Sequence, residues 1–116
     1  MSKYSKWKVY RASFEPVVGS EQGKSRPVLI VSQSVINELL NCVNIVLIST
    51  HNGRQIYPNE VFLPQGTAHL ENDSIALCHQ IRTVDKRRLS LEYGIVEDDN
   101  IRISVLEAIK FQMGIE

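Results

Sequence analysis

Apolar residues along this chain come in short bursts, each bounded by Gly, Pro, Asn or Ser. Residues 7–14 are rich in aromatic and β-branched types and predict a first strand, closed by Glu15-Pro16. Residues 28–32 and 43–49 are apolar with little alternation, the pattern of strands covered on both faces. Between them, residues 34–41 are helix-sized, with Ser34 as N-cap and Asn41 as stop. A short strand is expected at 60–63, ended by Pro64. Residues 74–84 read as one strand or as a pair broken near His79, and 91–96 as a last strand kinked at Gly94. The period then changes. Ile101, Val105, Ile109 and Met113 recur every fourth position, the apolar stripe of an amphipathic helix, with Leu106 and Ala108 beside it. Acidic residues 97–99 suit the positive N-terminal end of that helix, and Gly114 ends it. A parallel sheet would need a crossover helix between most strands, and the pattern offers none. The expected architecture is mainly β: a small, partly open antiparallel barrel with helical caps.

Composition narrows this further. With 43% apolar and 22% charged residues, the 116 positions suit one domain, 1–116, around a single core. No apolar run approaches the roughly 20 residues that span a bilayer, and the basic start leads into no apolar stretch. A cytoplasmic protein with no membrane partner is the expectation. Cys42 and Cys78 lie far apart with no Cys or His neighbours at ligand spacing, so they read as small buried hydrophobes. The net charge of zero conceals an asymmetry. Residues 1–90 carry 11 Lys/Arg against 7 Asp/Glu, and residues 91–116 carry 2 against 6. A basic body suits a phosphate-bearing partner on one face.

The chain has no HExxH, P-loop or GxGxxG segment, and His51, His69 and His79 show no ligand spacing. Neither a metal nor a cofactor is expected. The polar residues at strand ends are Arg26, Ser49, Thr50, His51, Asn52, His79, Gln80 and Arg82. Pro27 biases Arg26 towards an extended conformation where a polar loop meets a strand, a place where sites are commonly built. Guanidinium, hydroxyl and amide groups with few carboxylates are suited to gripping a phosphodiester and stabilising charge on its oxygens.

The segment Val18-Gly19-Ser20-Glu21-Gln22-Gly23-Lys24-Ser25-Arg26-Pro27-Val28-Leu29-Ile30-Val31 closely resembles the signature of the MazF/PemK family of toxins. Residues 46–50, 57–61, 70–74 and 80–89 resemble further family segments in the same order, so the likeness spans about residues 7–113. The resemblance implies an SH3-like barrel of the PemK/MazF/CcdB-like fold, usually homodimeric. It also implies a sequence-specific, metal-independent endoribonuclease (an mRNA interferase) of a type II toxin–antitoxin system. Single-stranded RNA would lie along the dimer groove, a cognate antitoxin would block that groove, and the antitoxin complex would bind operator DNA.

By this likeness Arg26 and Thr50 are the catalytic pair. The RNA 2′-hydroxyl attacks the adjacent phosphorus, leaving a 2′,3′-cyclic phosphate and a 5′-hydroxyl. Arg26 stabilises the phosphorane, and Thr50 fixes a phosphate oxygen or the nucleophile. Glu21, Gln22 and Lys24 would form a flap over the RNA and contact it, with Ser25, Asn52, Gln80 and Arg82 as further RNA contacts. Gln80 and Arg82 share a strand face by alternation. Trp7 and Tyr10 could stack bases, with core packing as the alternative. The chain departs from the family at Trp7 and Lys8, where Gly-Asp is common, and at Ser13, where an acidic residue stands. His79 takes the place of an aspartate that shares in proton transfer in some members, so it is a candidate acid–base residue, with a rim or core position as the alternative. Two further readings share the fold: a gyrase poison of the CcdB type, and a degenerate homologue that only binds RNA or antitoxin.

Overall fold

The computed structural model describes residues 2–14 and 25–116. Strands β1 (Lys8–Ser13), β2 (Ser25–Ile30), β3 (Cys42–Thr50), β4 (Glu60–Leu63), β5 (Ser74–Asp85) and β6 (Leu89–Ile95) form one antiparallel sheet, ordered β4-β5-β3-β2-β1-β6. Helix α1 (Ser34–Leu39) joins β2 to β3, and helix α2 (Asp99–Met113) follows β6.

The unbroken apolar runs of β2 and β3 have the predicted cause, because each strand feeds two cores. Leu29, Val46 and Ile48 join Val9, Ala76, Val96, Val105 and Ala108 on the face that α2 covers. Val28, Ile30, Ile45 and Leu47 join Tyr10, Ala12, Val84 and Leu89 on the other. Strands β4 and β6 form the two edges and do not pair with each other. A 3-10 turn, Thr67–His69, leaves the end of β4 and packs on β6, closing part of the gap with side chains. The sheet is thus a partly open barrel.

The break anticipated near His79 is an irregularity within one strand. Val46 pairs with Ile81 and the next residue, Leu47, pairs with Leu77, so residues 78–80 of β5 have no rung of their own. Such a bulge bends the strand and re-aims its side chains. Cys78 goes into the core and His79 to the surface.

Two sequence expectations need correction, and one pair of alternatives is decided. Ser34 does not cap α1. Gln33 occupies the N-cap without a side-chain bond, while the Ser34 hydroxyl accepts from Lys6 N at 2.9 Å. Of the two readings of Trp7 and Tyr10, core packing holds and base stacking does not, since they are only 7% and 2% exposed. Both are core residues, and the single proton of the Tyr10 hydroxyl is shared between the Lys3 carbonyl oxygen, the nearer acceptor, and Glu92 Oε1 at 3.2 Å. The stripe of α2 is also shorter than its spacing predicts. Val105 and Ala108 are buried, with Ile101 and Ile109 against them, but Leu106 and Met113 are 39% and 57% exposed. The caps of α2 form as expected. Asp98 Oδ1 accepts from Ile101 N at 3.1 Å, and Gly114 takes the left-handed conformation, φ 72°.

Candidate active site

Strand register brings distant residues to one end of the sheet. Ala12 pairs with Arg26 and Arg11 with Pro27, so two arginines stand on neighbouring rungs of β1 and β2. At the end of β3, Thr50 pairs with Ser74. These ends surround a cleft of about 610 Å³, lined by Arg11, Arg26, Thr50, His69, Asn72 and Tyr93 among others. Arg26 and Thr50, the two residues singled out for catalysis, therefore share one cleft, and both are exposed in it.

Arg11 brings a second guanidinium. Its Nε donates to the Tyr93 hydroxyl at 3.1 Å and its Nη1 to Ser25 Oγ at 2.7 Å, which holds the group over the Tyr93 ring. Ser25 thus reaches the site as a support for Arg11. His69 closes another wall. Its Nδ1 lies 2.7 Å from the Tyr93 carbonyl oxygen, and a carbonyl only accepts, so Nδ1 carries the hydrogen. Its backbone is left-handed, φ 63°, next to Ala68 at φ 49°. Gly94 makes this approach possible: a Cβ there would stand 2.6 Å from His69 Nδ1 and 3.1 Å from the Ala68 carbonyl carbon and oxygen.

The other sequence candidates lie elsewhere. Glu21, Gln22 and Lys24 fall outside the described residues. Asn52 is exposed in the segment after β3 and does not line the cleft. Gln80 and Arg82 do meet, with Arg82 Nη2 donating to Gln80 Oε1 at 3.3 Å, but Gln80 is in the bulge of β5 and Arg82 beyond it, and neither lines the cleft. Arg82 sits 5.1 Å from the centre of the Phe14 ring, where β1 gives way to segment 15–24.

His79 does not join Arg26 and Thr50. It lines a different cleft with Arg54, Tyr57, Asn59, Glu60 and Phe111, because the bulge of β5 turns it there. In that cleft Arg54 grips buried Glu60 through two bonds of 2.9 Å, and this pairing holds the Glu60 carboxyl below its ordinary range against the opposing effect of burial. Among the described residues no cluster of His, Cys, Asp and Glu is arranged to hold a metal ion, and no helix is long and apolar enough to cross a membrane.

Sequence reasoning missed Arg11, His69, Asn72 and Tyr93. One signal was legible: a glycine inside a strand marks a close backbone approach, and Gly94 faces His69. Arg11 had none, since an arginine in an aromatic strand is ordinarily a solvated charge.

A curled antiparallel sheet whose strand ends set two guanidiniums, a hydroxyl and an imidazole around one open cleft defines a small barrel protein equipped for a phosphodiester. The family described as PemK-like, MazF-like toxin of type II toxin-antitoxin system matches residues 5–112, and the chain belongs to it. It is 34% identical over 107 residues to the endoribonuclease EndoA of Bacillus subtilis (strain 168), covering 92% of this chain and 91% of that protein. Among solved structures, the Mycobacterium tuberculosis toxin MazF-mt6 superposes with a TM-score of 0.77 at 21% identity, covering 94% of this chain and 98% of that one. MazF of Deinococcus radiodurans gives 0.74 at 24% identity, covering 96% of each. A mycobacterial endoribonuclease in complex with its cognate antitoxin gives 0.77 at 21% identity, covering 97% and 96%. These structures share the fold predicted from the sequence.

Proposed function

We propose that this toxin is an endoribonuclease that cleaves single-stranded RNA in the Arg26–Thr50 cleft. The observation that carries the assignment of the site is the convergence of Arg26 and Thr50, distant in sequence, beside a second guanidinium from Arg11. In the proposed reaction the 2′-oxygen of one nucleotide attacks the adjacent phosphorus, and the 5′-oxygen of the next nucleotide departs. Negative charge accumulates on the non-bridging oxygens as the phosphorane forms. Guanidiniums aimed at those oxygens stabilise that charge more than the ground state, which is what lowers the barrier. Arg26 is the charge centre. Thr50, exposed at the end of β3, holds a phosphate oxygen or the nucleophile by hydrogen bond. Because the guanidiniums supply the positive charge, the reaction so described proceeds in EDTA.

The protein acts in the cytoplasm, as a homodimer restrained by an antitoxin. An apolar hollow beside Val61, Phe62, Ile103 and Phe111 supports pairing with a second copy. The antitoxin rests on family membership and on the related complex.

The test is incubation of purified protein with a long single-stranded RNA in EDTA, followed by analysis of the ends. Discrete cuts with 2′,3′-cyclic phosphate and 5′-hydroxyl ends are expected. Arg26→Ala should lower kcat/KM by about 100-fold or more, as loss of a transition-state donor does. Thr50→Ala should lower it about tenfold, the value of one neutral hydrogen bond. Intact RNA, or Arg26→Ala cutting as well as wild type, would overturn the reading.

A further inference from the structure

We propose that His69 is a third catalytic residue of this cleft, taking the proton from the attacking 2′-hydroxyl through Nε2. The inference rests on the reading of the cleft as an RNA-cleaving site and adds the base that Arg26 and Thr50 do not provide. A guanidinium is protonated throughout the working range and a threonine hydroxyl is a poor proton acceptor.

Three observations converge on His69. It is exposed and lines the same cleft as Arg26 and Thr50. Its tautomer is fixed: Nδ1–H donates to the Tyr93 carbonyl, so in the neutral ring Nε2 carries the lone pair and points away from the β6 backbone. A general base needs that arrangement, with one nitrogen oriented by a fixed acceptor and the other open to substrate. The placement is also over-determined. Ala68 and His69 both hold left-handed backbones, and such conformations persist where the surroundings enforce them, often at functional sites. Gly94 leaves the space in which the ring sits. The charged and titratable groups sharing the cleft are Arg11 from β1, Arg26 from β2, Tyr93 from β6 and Glu71 on the segment that follows His69.

The proposed step balances as follows. The 2′-oxygen–phosphorus bond forms as the 2′-hydroxyl proton passes to His69 Nε2. The phosphorus–5′-oxygen bond breaks, and a water protonates the departing 5′-oxygen. The hydroxide left behind takes the proton from the imidazolium, which restores the neutral ring. No electrons change hands, and the only co-reactant is solvent.

His69→Asn is the informative variant. Asparagine tolerates the left-handed backbone and keeps an N–H donor near the position of Nδ1, but it has no basic nitrogen facing the cleft. Steady-state kinetics on single-stranded RNA should show kcat lower by about 100-fold or more, the usual worth of a general base, with KM nearly unchanged. Wild-type kcat/KM should rise with pH on its acid side as the imidazole becomes neutral. His69→Asn should lack that rise, and added imidazole should restore part of its rate. Thermal melting checks that the variant is folded, and Arg26→Ala runs in parallel. If wild type cleaves and Arg26→Ala does not, the site reading stands independently. In that case a His69→Asn kcat within about threefold of wild type, a change confined to KM, or an unaltered pH profile would overturn the role of His69.

Discussion

Replacing Gly94 by alanine tests the geometry on which the cleft depends. The added Cβ would lie 2.6 Å from His69 Nδ1, well inside van der Waals contact, and 3.1 Å from the Ala68 carbonyl carbon and oxygen. The imidazole must retreat by most of an ångström, which breaks its 2.7 Å bond to the Tyr93 carbonyl, while the Ala68 backbone must give by a few tenths. Overpacking of this kind costs about 1–3 kcal/mol. At roughly 4 °C per kcal/mol for a domain of this size, Tm should fall by about 4–12 °C. Thermal melts of wild type, Gly94→Ala, His69→Ala and the double variant form a cycle. Removing the ring removes the closest clash but leaves the backbone contacts, so Gly94→Ala should cost less in the His69→Ala background. A coupling of about 1 kcal/mol is expected for residues in contact. Additivity within about 0.5 kcal/mol, or a Gly94→Ala variant as stable as wild type, would refute the packing of the 3-10 turn on β6. RNA cleavage by the folded Gly94→Ala protein should also fall, since His69 is displaced while Arg26 and Thr50 stay.

Further outcomes follow from the wider structure. The Glu60 carboxyl is lowered chiefly by its hydrogen bonds from Arg54, so its stabilisation is full well above its ordinary value of 4.5 and is lost as pH falls through the lower folded value. Acid titration of stability should therefore be shallower below about pH 4.5 in Glu60→Gln than in wild type; parallel curves would contradict the pairing. Burial pushes the Cys78 thiol up to about 12, so an aromatic disulfide reagent at pH 8 should label half-buried Cys42 first and Cys78 only on unfolding. Peptide mapping of the native protein showing Cys78 modified first would contradict this. Asp98→Ala removes the acceptor for Ile101 N and should cost about 1 kcal/mol in urea unfolding, with Asp98→Asn close to wild type.

Secondary structure was largely legible because burial writes itself into the pattern. Residues 28–30 and 45–48 have no polar alternation because each face of β2 and β3 meets a core. Gly114 and Asp98 marked the ends of α2 because a left-handed turn and an unsatisfied N–H select those residue types. Ser34 misled because a serine hydroxyl that can serve as a cap can equally accept from a backbone N–H distant in sequence, here Lys6 N.

The cleft was legible only in part, for a different reason. In a curled sheet the residues that meet come from strand ends, and register sets which ends meet; spacing along the chain does not. Arg26 and Thr50 could be named through family likeness, but the partner of Arg26 on the neighbouring rung, Arg11, comes from the pairing of Ala12 with Arg26. The two histidines show the same effect in opposite directions. His79 stands beside the Gln-Ile-Arg segment and was a candidate acid–base residue with a rim position as the alternative, and three residues of β5 without a rung on β3 carry it to the Glu60 cleft. His69 belongs to a 3-10 turn with no periodic signature, and a glycine and a carbonyl on β6 bring it into the cleft. Register and turn geometry thus decide which histidine stands in the cleft with Arg26 and Thr50, and the motif in the sequence does not. The comparison of His69→Asn with His79→Asn follows from this: loss of kcat with the first and not the second would place the base where the fold puts it.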